Sequence, residues 1–308
     1  MHHDSPHNLL VVLGPTASGK TALGVRLARQ ATGEIISADS RQVYRGMDIG
    51  TGKDLAEYGD IPYHLIDIRD PSDEFSLFHF QQECLKALAD IQGRGRVPVL
   101  VGGTGLYLES ILKGYRLVEA PENPALRAEL ASLSHDELSE RLLRETPSTH
   151  NTTDLLDRGR MIRAIEIAWH GKDHQPEPLP DIRPLVIGIR WERKALRKRI
   201  TDRLKERIAC GMIEEVRYLH ASGISWERLD LFGLEYRFIA RHLRGELNHN
   251  DMFQKLNSAI HDFAKRQETW FRRMERNGIE IHWLDGENDP FSQAMAILGR
   301  SPLIPNAL

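Results

Sequence analysis

Cysteine is nearly missing from this sequence, with only Cys84 and Cys210 among 308 residues. Two cysteines exclude a disulfide scaffold and a four-cysteine zinc site, and the fourteen histidines show no ligand spacing. Both cysteines are expected to be packing residues. Such low usage fits a reducing cytosol, so a cytoplasmic location is expected. Long apolar runs are missing too. Leu9–Leu13 and Val97–Val101 are among the longest, far short of the ~20 residues that span a bilayer, and no membrane is expected among the partners. Met1-His2-His3-Asp4-Ser5-Pro6-His7 has no basic segment leading into an apolar core, so no signal peptide is expected. Excess charge of one sign is also lacking: 41 Lys+Arg face 44 Asp+Glu, a net −3. That balance argues against a general polyanion binder but permits a local basic surface on an acidic protein. There is no internal repeat and no low-complexity tract. What remains, 41% hydrophobic and 28% charged, is an ordinary globular composition, long enough for one large domain or two modest ones.

The first third alternates between strand and helix patterns. Asn8–Leu13 is a continuous apolar run ending at a glycine, as a buried parallel strand does. Lys20–Ala31 carries Leu23, Leu27 and Ala31 at helical spacing, and Leu77–Ile91 carries Phe80, Cys84, Leu88 and Ile91. Glu34–Ala38, His64–Ile68 and Pro98–Val101 are further strand candidates. Pro124–Thr146 and Asp154–His170 are charged and helical in period, with no strand between them. Gly171–Pro184 holds four prolines and reads as a linker. Leu185–Ile189 is strand-like again, followed by helices over Glu192–Gly211, Met212–Ser222, Tyr236–Arg244 and Asp251–Asn277, and a late strand at Ile279–Leu284. The expected fold is α/β: a P-loop NTPase-like parallel sheet with helices on both faces, plus a helical insertion. Residues 8–117 and 184–300 form the expected catalytic core with its C-terminal helices, 118–183 the insertion, and 301–308 a tail.

Gly14-Pro15-Thr16-Ala17-Ser18-Gly19-Lys20-Thr21 fits G-x-x-x-x-G-K-[ST] in full, between a buried strand and an amphipathic helix. Backbone N–H groups of such a loop converge on anionic oxygens, and the helix dipole adds to the field. Lys20 supplies a point charge and the Thr21 hydroxyl a Mg²⁺ position. The default ligand is a nucleoside triphosphate, but any diphosphate satisfies the same loop. After the second strand comes Ala38-Asp39-Ser40-Arg41-Gln42-Val43-Tyr44-Arg45-Gly46-Met47-Asp48-Ile49-Gly50-Thr51-Gly52-Lys53. A carboxylate at the C-terminal end of a parallel strand shares the P-loop's rim, where open α/β sheets bind ligands. By position alone, Asp39 is equally a helix cap or loop carboxylate.

Those blocks, with His64-Leu65-Ile66-Asp67, Asp70-Pro71-Ser72, Gly102-Gly103-Thr104-Gly105-Leu106-Tyr107, Arg160–Glu166, Tyr236-Arg237 with Gly245, and Lys265–Arg272, resemble the tRNA dimethylallyltransferases, the bacterial isopentenyltransferase family. The resemblance runs through nearly the whole chain in order. It implies transfer of a dimethylallyl group from dimethylallyl diphosphate to the exocyclic amine of the adenosine just 3′ of the anticodon, in tRNAs reading codons that begin with U. In such a reaction the P-loop holds diphosphate rather than ATP for hydrolysis.

The resemblance further implies that Asp39 is the general base, Thr104 sits beside the reacting groups, and Lys20 and Thr21 hold the diphosphate with Mg²⁺. It also implies a diphosphate-contacting arginine in Arg199-Ile200-Thr201-Asp202-Arg203, assigned to Arg203 with Arg199 next. Expected tRNA contacts, through the anticodon stem-loop, are Asp39, Ser40, Arg41, Gln42, Arg127, Arg160, Arg163, Tyr236, Arg237, Lys265, Arg266, Gln267, Thr269 and Arg272. A monomer is expected. Two positions depart from the family pattern: Gly159 stands where Gln is usual, and Glu235 where Gly is usual. Both border the expected tRNA surface and bear on tRNA choice. The two-cysteine, two-histidine zinc module of eukaryotic relatives is absent.

Three other readings share parts of this pattern. A P-loop kinase explains Gly14–Thr21 but not Asp39–Lys53 together with Lys265–Arg272. An adenylate isopentenyltransferase shares the catalytic half and differs in the tRNA-facing part, where the basic C-terminal helix favours tRNA. A tRNA-binding protein without catalysis has no use for Lys20, Thr21, Asp39 and Thr104 together.

Overall fold

The structure is a computed structural model and describes residues 7–145, 157–171, 179–301 and 303. The chain divides into two compact units, Met1–Gly114 with Asp181–Leu308, and Tyr115–Pro180. In the first unit, β1 (Leu9–Leu13), β2 (Gly33–Ala38), β3 (Tyr63–His64), β4 (Val97–Gly102), β5 (Pro184–Arg190) and β6 (His282–Asp285) form one sheet ordered β3-β2-β4-β1-β5-β6. Every pairing is parallel. β1 is buried along its length because both faces are covered. Leu9, Val11 and Leu13 pack on one side, Leu10 and Val12 on the other. Full burial of each such side chain contributes about 1.5–3 kcal/mol.

Helix α1 (Lys20–Gln30) covers one face, while α2 (Leu77–Gly93) and α3 (Gly105–Leu112) cover the other. The second unit holds α4 (Pro124–Ala131), α5 (His135–Glu145) and α6 (Arg158–His170), closed over Leu126, Leu130, Leu138, Leu142, Met161 and Ile165. A further group follows β5 in the first unit: α7 (Arg193–Ala209), α8 (Met212–Ala221), α9 (Trp226–Leu231), α10 (Leu234–Leu243) and α11 (His249–Arg276). These enclose a third apolar core around Leu204, Val216, Tyr236 and Leu256. Helix α12 (Pro290–Leu298) returns to the α1 side of the sheet.

The expected strand over His64–Ile68 shrinks to Tyr63–His64. Leu65 and Asp67 take left-handed φ values of 64° and 56°, which no strand accommodates. The charged segment from Pro124 divides into α4 and α5 around Ser132, Leu133 and Ser134, with the last expected residue, Thr146, outside the described residues. α3, α9 and α12 are short, and their patterns were too brief to separate from turns. Residues 154–156 of the helix expected over Asp154–His170, 172–178 of the proline-rich linker and most of the tail also lie outside the described residues. Cys84 is buried among the α2 side chains, and burial pushes its thiol up to about 12. Cys210, at the end of α7, is exposed, so the packing expectation fails for it: a helix C-cap there faces solvent.

Candidate active site

The loop Gly14–Thr21 leaves the C-terminal end of β1 and turns into α1 through Gly19, whose φ of 85° favours glycine. Gly19 carries no side chain to cap the helix, so first-turn N–H groups stay open to an anion. The loop is held from α7 and from Trp191, two residues before that helix. Trp191 Nε1 donates to the Ser18 carbonyl at 3.0 Å, and Arg199 Nε donates to the Ala17 carbonyl at 2.8 Å. Arg199 also stacks over the Trp191 ring. Sequestering those carbonyls keeps acceptors away from where an anion would sit.

β1 and β4 are neighbours whose onward connections run to opposite ends of the sheet, which makes their C-terminal ends the switch point. Gln267 of α11 spans that crevice. Its Oε1 accepts from Thr16 N at 2.8 Å and its Nε2 donates to the Gly103 carbonyl at 2.8 Å. A Cβ on Gly103 would lie 2.5 Å from Gln267 Nε2 and 3.4 Å from the Lys20 side chain, so only glycine permits the approach.

Asp39 follows β2 on the same rim, half-buried. Its Oδ1 accepts from Arg41 N at 2.9 Å. Ser40 N donates to the Thr104 hydroxyl at 3.3 Å, and Thr104 N to the Ala38 carbonyl at 3.3 Å. These ties join the ends of β2 and β4, and Asp39 Oδ2 takes no bond among the described residues. Lys20 lies within electrostatic range of Asp39. Burial first, then Arg203 and Arg207, lower the Lys20 pKa to about 8 against the raising effect of Asp39.

Arg203 Nη2 donates to Asp54 Oδ2 at 2.7 Å. Arg203, Arg207, Thr16, Ala17, Ile200, Leu204, Glu235 and Ile260 line a cavity between α7 and the P-loop. Arg207 and Glu235 carry no sequence signal for this place. Glu235, expected to border the tRNA surface, lines this cavity from the first turn of α10. Burial raises its pKa.

The block after Asp39 is a long loop clamped from the helical group. Glu215 accepts from the N–H groups of Asp48, Ile49 and Gly50 at 2.8, 2.6 and 3.0 Å, and from the Tyr236 hydroxyl at 2.7 Å. Lys53, fully buried, bonds the Tyr44 carbonyl, Asp48 and Asp67. Gln42 bonds Ser37 and the Gly52 carbonyl.

The expected tRNA contacts therefore separate. Ser40 and Arg41 are half-buried on the rim, and Lys265, Arg266, Thr269 and Arg272 are exposed along α11. Arg237 is exposed, with its Nε on the Asp230 carbonyl. Tyr236, Gln42 and Gln267 are 1%, 7% and 7% exposed, with their polar groups bonded internally. In the 115–180 unit Arg160 is exposed, whereas Arg127 and Arg163 both bond the buried Glu166, at 3.0 and 2.6 Å. Among the described residues no group of three acidic, histidine or cysteine side chains could hold a metal, and no helix is long and apolar enough to cross a membrane.

A parallel α/β sheet bearing a complete P-loop, with a carboxylate at the next strand end and arginines across the crevice, defines a P-loop transferase-like protein built for a polyanionic group. The family model described as IPP transferase matches residues 42–274, and one described as isopentenyl transferase matches residues 7–58. The chain belongs to the IPP transferase family. It is 66% identical over 291 residues to a tRNA dimethylallyltransferase 1 of Geotalea uraniireducens, covering 94% of this chain and 97% of the relative. It is 62% identical over 300 residues to a tRNA dimethylallyltransferase 2 of Trichlorobacter lovleyi, covering 97% and 98%. The crystal structure of a tRNA isopentenylpyrophosphate transferase from Bacillus halodurans matches with a TM-score of 0.71 at 34% identity, over 96% of this chain and 95% of that one. A eukaryotic dimethylallyltransferase acting on tRNA shares the fold, with a TM-score of 0.78 at 23% identity, over 96% and 81% of the two chains.

Proposed function

We propose that this chain transfers a dimethylallyl group from dimethylallyl diphosphate to the exocyclic amine of adenosine 37, beside the anticodon, in tRNAs reading codons that begin with U. The observation that carries the reading is one carboxylate, Asp39, at the strand end beside a P-loop lysine, with an oxygen left for substrate. The amine nitrogen attacks the allylic carbon, the carbon–oxygen bond to diphosphate breaks, and diphosphate leaves with the electron pair. The amine proton, acidified during attack, passes to Asp39. The products are N6-isopentenyladenosine and diphosphate. Thr104 positions the Asp39 segment through Ser40 N. Lys20, Arg203 and the open first-turn N–H groups of α1 stabilise charge developing on the leaving group. An allylic carbon tolerates positive charge, so no covalent enzyme intermediate is required.

The loop's chemistry fits Mg²⁺: Ser18 Oγ is buried without a partner, and Thr21 begins the helix. Mg²⁺ typically takes few protein ligands and completes its shell with phosphate oxygens and water. When bound, it neutralises diphosphate charge. Exposed Lys265, Arg266 and Arg272 on α11 suit tRNA backbone phosphates, and Arg160 on the 115–180 unit suits the same partner. Splaying the target base from its stack places it against Asp39, Ser40 and Arg41. The chain acts as a cytoplasmic monomer.

The deciding experiment incubates the protein with dimethylallyl diphosphate, Mg²⁺ and unmodified tRNA, followed by mass analysis of the nucleosides. Isopentenyladenosine confined to the position next to the anticodon is expected. Unmodified tRNA together with prenylated AMP would overturn the reading in favour of a free-nucleotide enzyme.

A further inference from the structure

Resting on that reading, we propose that Arg207 is a second anion-binding guanidinium of the donor pocket, joining Arg203 to close on the diphosphate from the side opposite the P-loop. The two arginines stand four residues apart on α7, and both line the cavity that Thr16 and Ala17 line from the P-loop side. Like charges at that spacing repel on a helix. Both also lie close enough to Lys20 to depress its pKa. Three converging cations are an arrangement suited to a polyanion and costly without one.

The surroundings of Arg207 sharpen this. Its side chain is 13% exposed, yet Nη2 is buried with no hydrogen-bond partner. Its nearest counter-charge is Asp54 Oδ2 at 3.9 Å, a carboxylate already bonded by Arg203. A buried guanidinium nitrogen without an acceptor carries a desolvation cost that a phosphate oxygen would remove. Glu235, the other acidic residue on the cavity wall, is a weak competitor because burial favours its neutral form. The approach is shaped by the backbone as well. At Gly52, with a φ of 63°, any Cβ would overlap the Arg207 guanidinium and lie 2.7 Å from Arg203 Nη2. The glycine lets both guanidinium groups approach the loop that carries Asp54.

The test titrates inorganic pyrophosphate into the full-length wild type, Arg207→Met and Lys20→Met by calorimetry, with the melting temperature of each recorded. Arg207→Met, close to isosteric, is expected to weaken pyrophosphate by about tenfold or more, the scale of one charge-assisted contact. The KM for dimethylallyl diphosphate should rise by a similar factor while the KM for tRNA stays put. If Lys20→Met loses pyrophosphate and Arg207→Met binds like wild type, the proposal is overturned and the proposed function stands. A lowered melting temperature with unchanged affinity also overturns it, making Arg207 a structural tie. A wild type that fails to bind pyrophosphate removes both readings. Should Arg207→Met not fold, Arg207→Lys decides: it keeps the charge, loses the planar fork, and should bind pyrophosphate severalfold more weakly. Full wild-type affinity in Arg207→Lys would then count against the proposal.

Discussion

The two faces of α11 both carry arginine and face opposite environments. On the inner face Ala264, Gln267, Phe271 and Met274 are buried. The half-buried Arg273 bonds Glu109, itself 2% exposed, at 2.7 Å, and lies over the Trp270 ring. On the outer face Lys265, Arg266, Thr269, Arg272 and Arg276 are exposed, and the Arg272 contact to Glu268 is a loose 3.7 Å. Of two adjacent arginines, Arg273 is thus a structural strut and Arg272 an open cation. What separates them is which side of a 28-residue helix meets the sheet. The inner face ties down the P-loop through Gln267, and the outer face stays open to solvent.

The inner region should fail first and most severely. Asp39→Ala, at the rim the inner face supports, is expected to cut the transfer rate by ~10²–10⁴ while tRNA affinity stays within a few-fold. Near-normal single-turnover rates would remove Asp39 from the mechanism.

Gln267→Leu should follow in size. It leaves Thr16 N and the Gly103 carbonyl unpaired, costing about 1–3 kcal/mol by denaturant titration. It should raise the KM for dimethylallyl diphosphate more than the KM for tRNA. The reverse ranking would return Gln267 to the tRNA surface.

The Lys20 pKa of about 8 gives a pH signature. Diphosphate affinity of the ligand-free enzyme should decline as pH rises through about 8, since the loop then loses its point charge. Stability moves the other way. With the folded pKa below the unfolded value, the native state binds fewer protons between about 8 and 10.5, so this residue's contribution to stability rises across that window. Lys20→Met should abolish both trends in paired binding and melting curves.

The outer face is tested by Lys265/Arg266/Arg272 triple-Ala. The KM for tRNA should rise and its salt dependence flatten by about one unit of slope per lost contact, with the KM for dimethylallyl diphosphate unmoved. An unchanged salt slope would strip these residues of their assignment.

Tyr236→Phe should have the smallest effect. Glu215 keeps its three backbone donors, so about 1 kcal/mol of stability is expected to go, with tRNA kinetics intact. A large rise in the KM for tRNA would place Tyr236 at the tRNA after all.

What was legible from residues alone is what is local. The P-loop is eight consecutive residues that turn into α1 through a left-handed Gly19, and β1 is a contiguous apolar run. Asp39 could be placed on the same rim because parallel strands put their C-terminal ends on one side of a sheet. The outer cations of α11 follow from helical period. Less legible were α3 and α12, too short for their periodicity to stand out, and the end of β3, stopped by left-handed residues that pattern does not reveal.

Sequence by itself determined the sheet, the anion loop, the rim carboxylate and the family resemblance, since each depends on neighbours in the chain. Only the tertiary structure decided which polar side chains face inward. Gln267 reaches Thr16 across 251 residues, Glu215 clamps a loop 165 residues earlier, and Arg207 meets Glu235 at a cavity wall. A side chain on a helix reads the same whether it faces water or a glycine-lined crevice. Its role is settled when packing brings a distant backbone within 3 Å of its polar atoms and removes the water that would otherwise satisfy them.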